Sequence, residues 1–107
     1  DLFKKYKIIY NISKILNSKL IDFLNDNLMP KSIILFGSFQ HGEDLVNSDI
    51  DLFIECKSNN IDLKIFEKKL NRKIQLHFNK KFNNYSKELK NNIINGIVLS
   101  GYLEVFN

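Results

Sequence analysis

Residues 32–55 read SIILFGSFQHGEDLVNSDIDLFIE, two apolar β-strand patterns joined by a polar segment. The run SIILF at 32–36 is apolar and β-branched almost throughout, which predicts a strand buried on both faces. The run at 48–55 carries an apolar residue at every second position, which predicts a strand with one buried and one open face. These two strands form the centre of the predicted fold.

Helical patterns flank the two strands. The apolar residues of 2–28 recur at helical spacing, and Asn17 and Ser18 divide the predicted helix, with Ser18 capping its second piece. Pro30 closes this segment, because the residue before a proline is pushed out of helical geometry.

The second half of the chain continues the alternation of helices and strands. The patterns predict a helix at 61–70 capped near Asn60, a strand at 73–78, a helix at 86–95 with Gly96 as its C-cap, and short extended pieces over 97–106. This order predicts an α/β (α+β) fold, a small mixed sheet with helices packed on one face. The polar residues of 48–55 and 73–78 are expected on the other face.

The composition predicts one compact domain over residues 1–107, with 44% hydrophobic and 26% charged residues. The single cysteine, Cys56, excludes an internal disulfide, which indicates a reducing cytoplasm. Cys56 itself is predicted to be a small buried residue rather than a nucleophile. His41 and His77 lack the spacing of zinc ligands. No apolar run approaches the roughly 18 residues of a membrane span. The chain begins at Asp1, which indicates a domain excised from a longer protein.

The charge balance is modestly basic. Sixteen Lys and Arg residues face twelve Asp and Glu residues, a net charge of +4. This excess favours a polyanionic partner, but dispersed lysines are also typical of solvated helix surfaces.

The chemistry lies where the two central strands meet the polar segment. Gly37 allows a tight turn close to a ligand, and Ser38 adds a hydroxyl at a predicted helix start, where free amides attract anions. Ten residues later, Asp49 and Asp51 stand two apart in a strand, so their carboxylates share one face about 7 Å apart at the backbone. Two such carboxylates suit Mg²⁺. The pattern predicts a site for a metal-bound triphosphate, although each half alone is also typical of a turn.

At these residues the chain resembles a known family. GSFQHGEDLVNSDID at 37–51 resembles the GSx10DxD signature of the nucleotidyltransferase superfamily that includes DNA polymerase beta, and more closely its minimal (MNT) branch. The resemblance runs from PKSIILFGS at 30–38 to ELKNNIINGIVLSGY at 88–102. The stretch is also similar to archaeal proteins in which such a domain follows a DNA-binding winged helix.

The resemblance implies a transfer of a nucleoside monophosphate from an NTP, with ATP favoured, to a hydroxyl of a protein or small molecule. Gly37 and Ser38 would bind the phosphates, while Asp49 and Asp51 would be catalytic and hold Mg²⁺, with two ions in an active form. A helical HEPN-type toxin is an implied acceptor, and DNA is an implied partner through an upstream domain. A homodimer through exposed sheet edges is a further prediction.

One position departs from the family pattern. The resemblance places a third carboxylate on the strand at 73–78, where this chain has Gln75. An amide cannot take a proton, so general-base activation is lost there. His77, on the same face as Gln75, is a candidate replacement, as is the more distant Glu55.

Two further functions stay open from the sequence. In the first, the domain is a catalytically weakened nucleotide-sensing or partner-binding module that regulates an attached DNA-binding domain, a function that Gln75 favours. Alternatively, it is a basic nucleic-acid-binding domain, which predicts steep salt dependence and no role for Asp49.

Overall fold

The computed structural model describes residues 1–42, 48–79 and 84–102. The elements, in chain order, are α1 (Leu2–Asn17), α2 (Leu20–Leu28), β1 (Ser32–Phe36), β2 (Ile50–Ile54), α3 (Lys64–Leu70), β3 (Ile74–Phe78), α4 (Lys87–Ile94) and β4 (Ile97–Gly101). The predicted α+β class is confirmed. The part of the predicted extended piece beyond residue 102 lies outside the described residues.

The strands form one mixed sheet in the order β3-β2-β1-β4. β1 pairs antiparallel with β2 and β4, and β2 pairs parallel with β3. Parallel neighbours need a crossover connection, and α3 supplies it between β2 and β3. The antiparallel pairing brings the end of β1 beside the start of β2, where the predicted functional residues stand.

Three helices cover one face of the sheet. Ile15 of α1, Leu24 of α2 and Phe66 of α3 are buried in a core cluster with Ile33 and Leu52 of the central strands. A fully buried side chain of this size contributes roughly 1.5–3 kcal/mol. This cluster supplies most of the apolar burial among the described residues.

The fourth helix covers the opposite face, which corrects the prediction that the helices pack on one face. Ile93 of α4 is buried against Ile34, Phe36 and Phe53, with Tyr85 and Leu89 packed beside them. The reason is Phe53, a large apolar residue among the polar alternates of β2. Together with the even-numbered residues of β1, it makes an apolar patch that an amphipathic helix must cover.

The predicted break between the first two helices is confirmed. Ser18 Oγ donates to the Ile15 carbonyl (2.6 Å) and accepts from the Leu20 amide (3.2 Å). Lys19 takes a left-handed φ of 70° as the N-cap of α2. Ser18 therefore ends one helix and satisfies the first amide of the next.

The other predicted helix ends differ in detail. α3 begins at Lys64, whose amide donates to Asp62 Oδ1 (3.0 Å), so residues 61–63 precede the helix. α4 ends with Asn95 as its C-cap, one residue before the predicted Gly96. A Cβ on Gly96 would lie 2.5 Å from the Leu35 carbonyl oxygen, so this glycine is required by close approach to β1.

Helix α1 also holds the segment that follows β1. Asn11 is 2% exposed, and its Nδ2 donates to the Phe39 carbonyl at 3.0 Å. A buried carbonyl that loses its donor keeps the cost of its desolvation. Asn11 therefore fixes the backbone two residues after Gly37.

We expect Asn11→Ala to lower the free energy of unfolding by about 1–3 kcal/mol, because it removes a buried hydrogen bond and leaves the Phe39 carbonyl with only the longer bond from the Gly42 amide, 3.4 Å. Asn17→Ala, on an exposed position of the same helix, is the matched control and should change stability by less than about 0.5 kcal/mol. Urea denaturation followed by circular dichroism measures both. Equal changes in the two variants would show that the buried hydrogen bond of Asn11 contributes nothing, since Ala is the better helix former at both positions.

Candidate functional site

The sheet register brings the predicted site residues together. Phe36 pairs with Asp51, Asp51 pairs with Gln75, and Phe53 pairs with His77. Residues directly opposite one another in a sheet point to the same face. Asp51, Gln75 and His77 therefore share one surface, next to the turn that ends β1.

Gly37 makes the turn at the end of β1, and its conformation excludes a side chain. Its φ is +81°, and a Cβ would lie 2.6 Å from Asp51 Oδ2. The backbone of the predicted phosphate-binding turn thus lies directly against one of the two carboxylates. Only glycine allows both the left-handed backbone and this contact.

Residues 38–42 form turns, which corrects the predicted helix start at Ser38. The His41 amide donates to the Gly37 carbonyl (3.3 Å), which closes one turn over Ser38. Gly42 then takes a φ of +68°, outside helical geometry. The rest of the predicted ten-residue connection, 43–47, lies outside the described residues.

Each carboxylate of the acidic pair has a polar partner on β3. Gln75 Nε2 donates to Asp49 Oδ2 at 3.1 Å, and His77 Nε2 lies 3.2 Å from Asp51 Oδ1. The side chains of His77 and Asp51 are 32% and 28% exposed. The imidazole also packs edge-on against Phe36, with 5.0 Å between ring centroids. Both residues predicted at the third position therefore contact the acidic pair.

Glu55 does not reach this group. It is 5% exposed and accepts from Ser32 Oγ at 3.0 Å, beyond the far end of β2. The suggestion that it replaces the third carboxylate is therefore wrong, since it lies where β1 begins, whereas the site lies where β1 ends.

Arg72 is a site residue that the sequence interpretation missed. Its Nη1 donates to the Ser48 carbonyl (3.2 Å), and its guanidinium carbon lies 5.4 Å from the centroid of the Phe39 ring. It therefore joins the residue before Asp49 to the residue after Ser38. The sequence signal that could have identified Arg72 is that it is the chain's single arginine. A planar guanidinium is suited to such stacked, hydrogen-bonded contacts, which a lysine cannot make in the same way.

An open cleft of about 720 Å³ begins at Asp49. Its lining residues are Asp49, Glu67, Lys68, Asn71, Arg72, Lys73 and Gln75. Glu67 Oε2 accepts from the Ile74 amide at 2.8 Å, which ties α3 to the start of β3. The cleft is also lined by three cations, Lys68, Arg72 and Lys73, a setting that attracts a polyanion.

The acidic pair is the part of the site that fits a metal ion. Across 1–42, 48–79 and 84–102, no cluster of three or more His, Cys, Asp or Glu residues is arranged to hold one. Two carboxylates are nevertheless sufficient for Mg²⁺, which completes its shell with water and substrate phosphates. The backbone of the Gly37 turn lies directly against Asp51, so a phosphate held by that backbone would lie near the metal-binding carboxylates. The residues therefore fit one Mg²⁺ ion better than two.

The other reactive groups of the described chain do not supply a nucleophile. Burial raises the pKa of the Cys56 thiol, which keeps it protonated and unreactive. Burial also raises the pKa of Tyr85 to about 12, and its ring packs edge-on against Phe53. His41 is exposed, as its predicted loop position indicated.

A mixed sheet with helices on both faces and an acidic pair beside a glycine turn defines the class of this protein, an α+β domain with its candidate site where β1 ends. Residues 17–100 match the family model described as Nucleotidyltransferase domain. The chain belongs to this family, within the DNA polymerase beta-like superfamily, as its signature residues predicted. No curated protein and no solved structure matches the chain. Among the described helices, none has the length and apolarity needed to cross a membrane.

We expect Gly37→Ala to lower the free energy of unfolding by at least about 1 kcal/mol, the cost of a left-handed backbone for a residue with a Cβ. The new methyl group must also displace the Asp51 carboxylate. Urea denaturation measures the loss, with Ser38→Ala as the neighbouring control at less than about 0.5 kcal/mol. An unchanged stability for Gly37→Ala would contradict the close approach of the turn to Asp51.

Proposed function

We propose that this domain binds an NTP with Mg²⁺ and transfers its nucleoside monophosphate to a hydroxyl of a protein or small molecule, with ATP the favoured donor. The observation that carries the proposal is the contact of the Gly37 turn with the Asp51 carboxylate, beside Asp49. It places a turn without a side chain, where phosphates can approach closely, next to oxygens that can hold their metal ion.

The phosphate-binding half of the site is Gly37 and Ser38. The left-handed turn at Gly37 would offer backbone amides to a phosphate, and the half-buried Ser38 adds a hydroxyl donor. The turn is held from two sides, by Asn11 at the Phe39 carbonyl and by Arg72 at the Phe39 ring. A turn fixed in this way loses little conformational entropy when it binds.

The metal-binding half of the site is Asp49 and Asp51. When bound, Mg²⁺ would neutralise the charge that develops on the leaving pyrophosphate. Gln75 and His77 hold one oxygen of each carboxylate and so fix the orientation of the pair. Lys68 and Lys73 on the rim of the cleft add positive charge that favours the triphosphate.

The proton-accepting part of the site is weaker. Gln75 occupies the place of the third carboxylate, and its amide cannot take the proton of the acceptor hydroxyl. His77 is engaged with Asp51 Oδ1. We therefore infer that nucleotide binding is retained, that transfer is slow, and that a second Mg²⁺ ion is held weakly.

Binding is tested by calorimetric titration of ATP, GTP, CTP and UTP with Mg²⁺ into the domain. We expect Mg²⁺-dependent binding that Asp49→Asn/Asp51→Asn weakens by at least about tenfold, because both metal-binding charges are removed. Asp22→Asn/Asp26→Asn, the same chemical change on exposed positions of α2, is the control and should bind normally. A folded wild-type domain that binds no nucleotide would overturn the proposal.

Transfer is tested by Gln75→Asp, which restores a carboxylate at the third position. We expect at least about a tenfold gain in label transferred from α-labelled ATP to an acceptor mixture, with matching pyrophosphate release, because a positioned base contributes roughly 10²–10⁴-fold. Gln75→Asn, which has the same side-chain length as Asp but keeps the amide, is the control. Equal rates for the two variants would show that the missing carboxylate does not limit transfer.

A further inference from the structure

Helix α1 has a second apolar face that is exposed among the described residues 1–42, 48–79 and 84–102. Its inward side carries Asn11 and Ile15, which are 2% and 0% exposed. Its outward side carries large apolar residues that are 46–70% exposed, namely Leu2, Phe3, Tyr6, Ile9, Tyr10 and Leu16. We call these six residues the outer face of α1. A helix that is apolar on two sides is one that packs against two neighbours.

The spacing on the outer face is that of a helix-pairing seam. Leu2, Tyr6, Ile9, Ser13 and Leu16 are separated by alternating steps of four and three residues. This 3.5-residue repeat is the pattern by which two helices interlock their side chains, and a polar residue such as Ser13 within it sets the register. Phe3 and Tyr10 flank the seam, and a groove of about 530 Å³ runs along its first half.

The exposed area is large for a free surface. Phe3, Tyr6 and Tyr10 are 70%, 63% and 59% exposed. With about 150–250 Å² available for each aromatic side chain, they alone expose roughly 290–480 Å². The largest apolar patch on a typical monomer is roughly 300–600 Å² and is often functional. The other three residues of the outer face enlarge the patch further.

The charges on α1 indicate which partner fits. Every charged side chain from Leu2 to Asn17 is a lysine, at positions 4, 5, 7 and 14. Lys7 lines the groove, and Lys14 Nζ lies 5.4 Å from the centroid of the Tyr10 ring. Lys4 lies toward Gly42 on the inward side, and the carboxylate at the start of the helix is that of the N-cap, Asp1. A second copy of the chain would therefore bring mainly further lysines from α1 to this seam. Carboxylates beside an apolar seam are the complementary surface.

We propose that the outer face of α1 is a docking surface for an acidic amphipathic helix of a partner protein. Apolar side chains of the partner would enter the seam, and its flanking Asp or Glu residues would pair with the lysines of α1. The inward side of the same helix donates from Asn11 to the Phe39 carbonyl, next to the Gly37 turn. The partner therefore docks on the helix that supports the candidate site, and the proposal stands independently of the transfer reaction.

The test is fluorescence anisotropy of a labelled three-heptad helical peptide with Leu at a and d and Glu at e and g, titrated with the 107-residue chain. A second peptide with Lys at e and g is the charge control. We expect the acidic peptide to bind at least about tenfold more tightly than the basic one. Raising the ionic strength from about 0.05 M to about 0.5 M should weaken binding.

Variants assign the binding to this face. Tyr6→Ser/Ile9→Ser should weaken binding of the acidic peptide at least about tenfold, because it removes two seam residues. Ile65→Ser, at a side chain 70% exposed on α3, is the matched control and should bind normally. Lys5→Glu/Lys7→Glu should reverse the preference toward the basic peptide. Circular dichroism establishes that each variant keeps its helices.

Four results would overturn the proposal. Equal affinity for the two peptides removes its charge argument, and the absence of binding by the folded wild-type chain removes it altogether. Sedimentation equilibrium that shows dimers lost in Tyr6→Ser/Ile9→Ser would assign the face to a second copy of the chain. Binding to phosphatidylserine vesicles without binding to the acidic peptide would assign it to an anionic membrane surface.

Discussion

The close approach of Gly37 to the Asp51 carboxylate is the constraint on which the candidate site depends. Antiparallel pairing sets Phe36 opposite Asp51, so the chain leaves β1 at the level where β2 presents its carboxylate. A Cβ at position 37 would lie 2.6 Å from Asp51 Oδ2. The turn and the acidic strand are therefore one unit, and a displacement of either one moves the other.

The layers around the sheet hold this unit in place. β1 is buried on both faces, with α1, α2 and α3 on one side and Ile93 of α4 on the other. Polar contacts then fix the ends of the connection between the strands. Asn11 and Arg72 both meet Phe39, and Arg72 also bonds to the Ser48 carbonyl. The buried strands position Asp51 and the Gly37 turn, while Asn11 and Arg72 fix the connection that follows the turn.

The sequence predicted what depends on local pattern and missed what depends on contacts between distant residues. The strands were predictable because an apolar run and an alternation have distinct periods. The acidic pair followed from its place at the start of β2, with Asp49 just before the strand and Asp51 within it. The side of the sheet on which α4 packs was not predictable, because it depends on one apolar residue, Phe53, among the polar alternates of β2. The helix start at Ser38 failed because Gly42 turns left-handed four residues later. Arg72 was missed because its partners lie 24 and 33 positions away in the chain.

Gln75 stands where the family pattern has a carboxylate, and this difference separates two tasks of the site, the binding of phosphate and metal and the removal of a proton. Three carboxylates in contact repel one another unless a cation lies among them. Here an amide and an imidazole on β3 hold the two remaining carboxylates at 3.1 and 3.2 Å, so the protein itself orients the pair. The groups proposed to bind phosphate and metal lie at the ends of β1 and β2, whereas the group that would remove a proton belongs to β3. Because the tasks lie on different strands, the loss of a base on β3 leaves both carboxylates of the binding half present, now oriented by the amide and the imidazole.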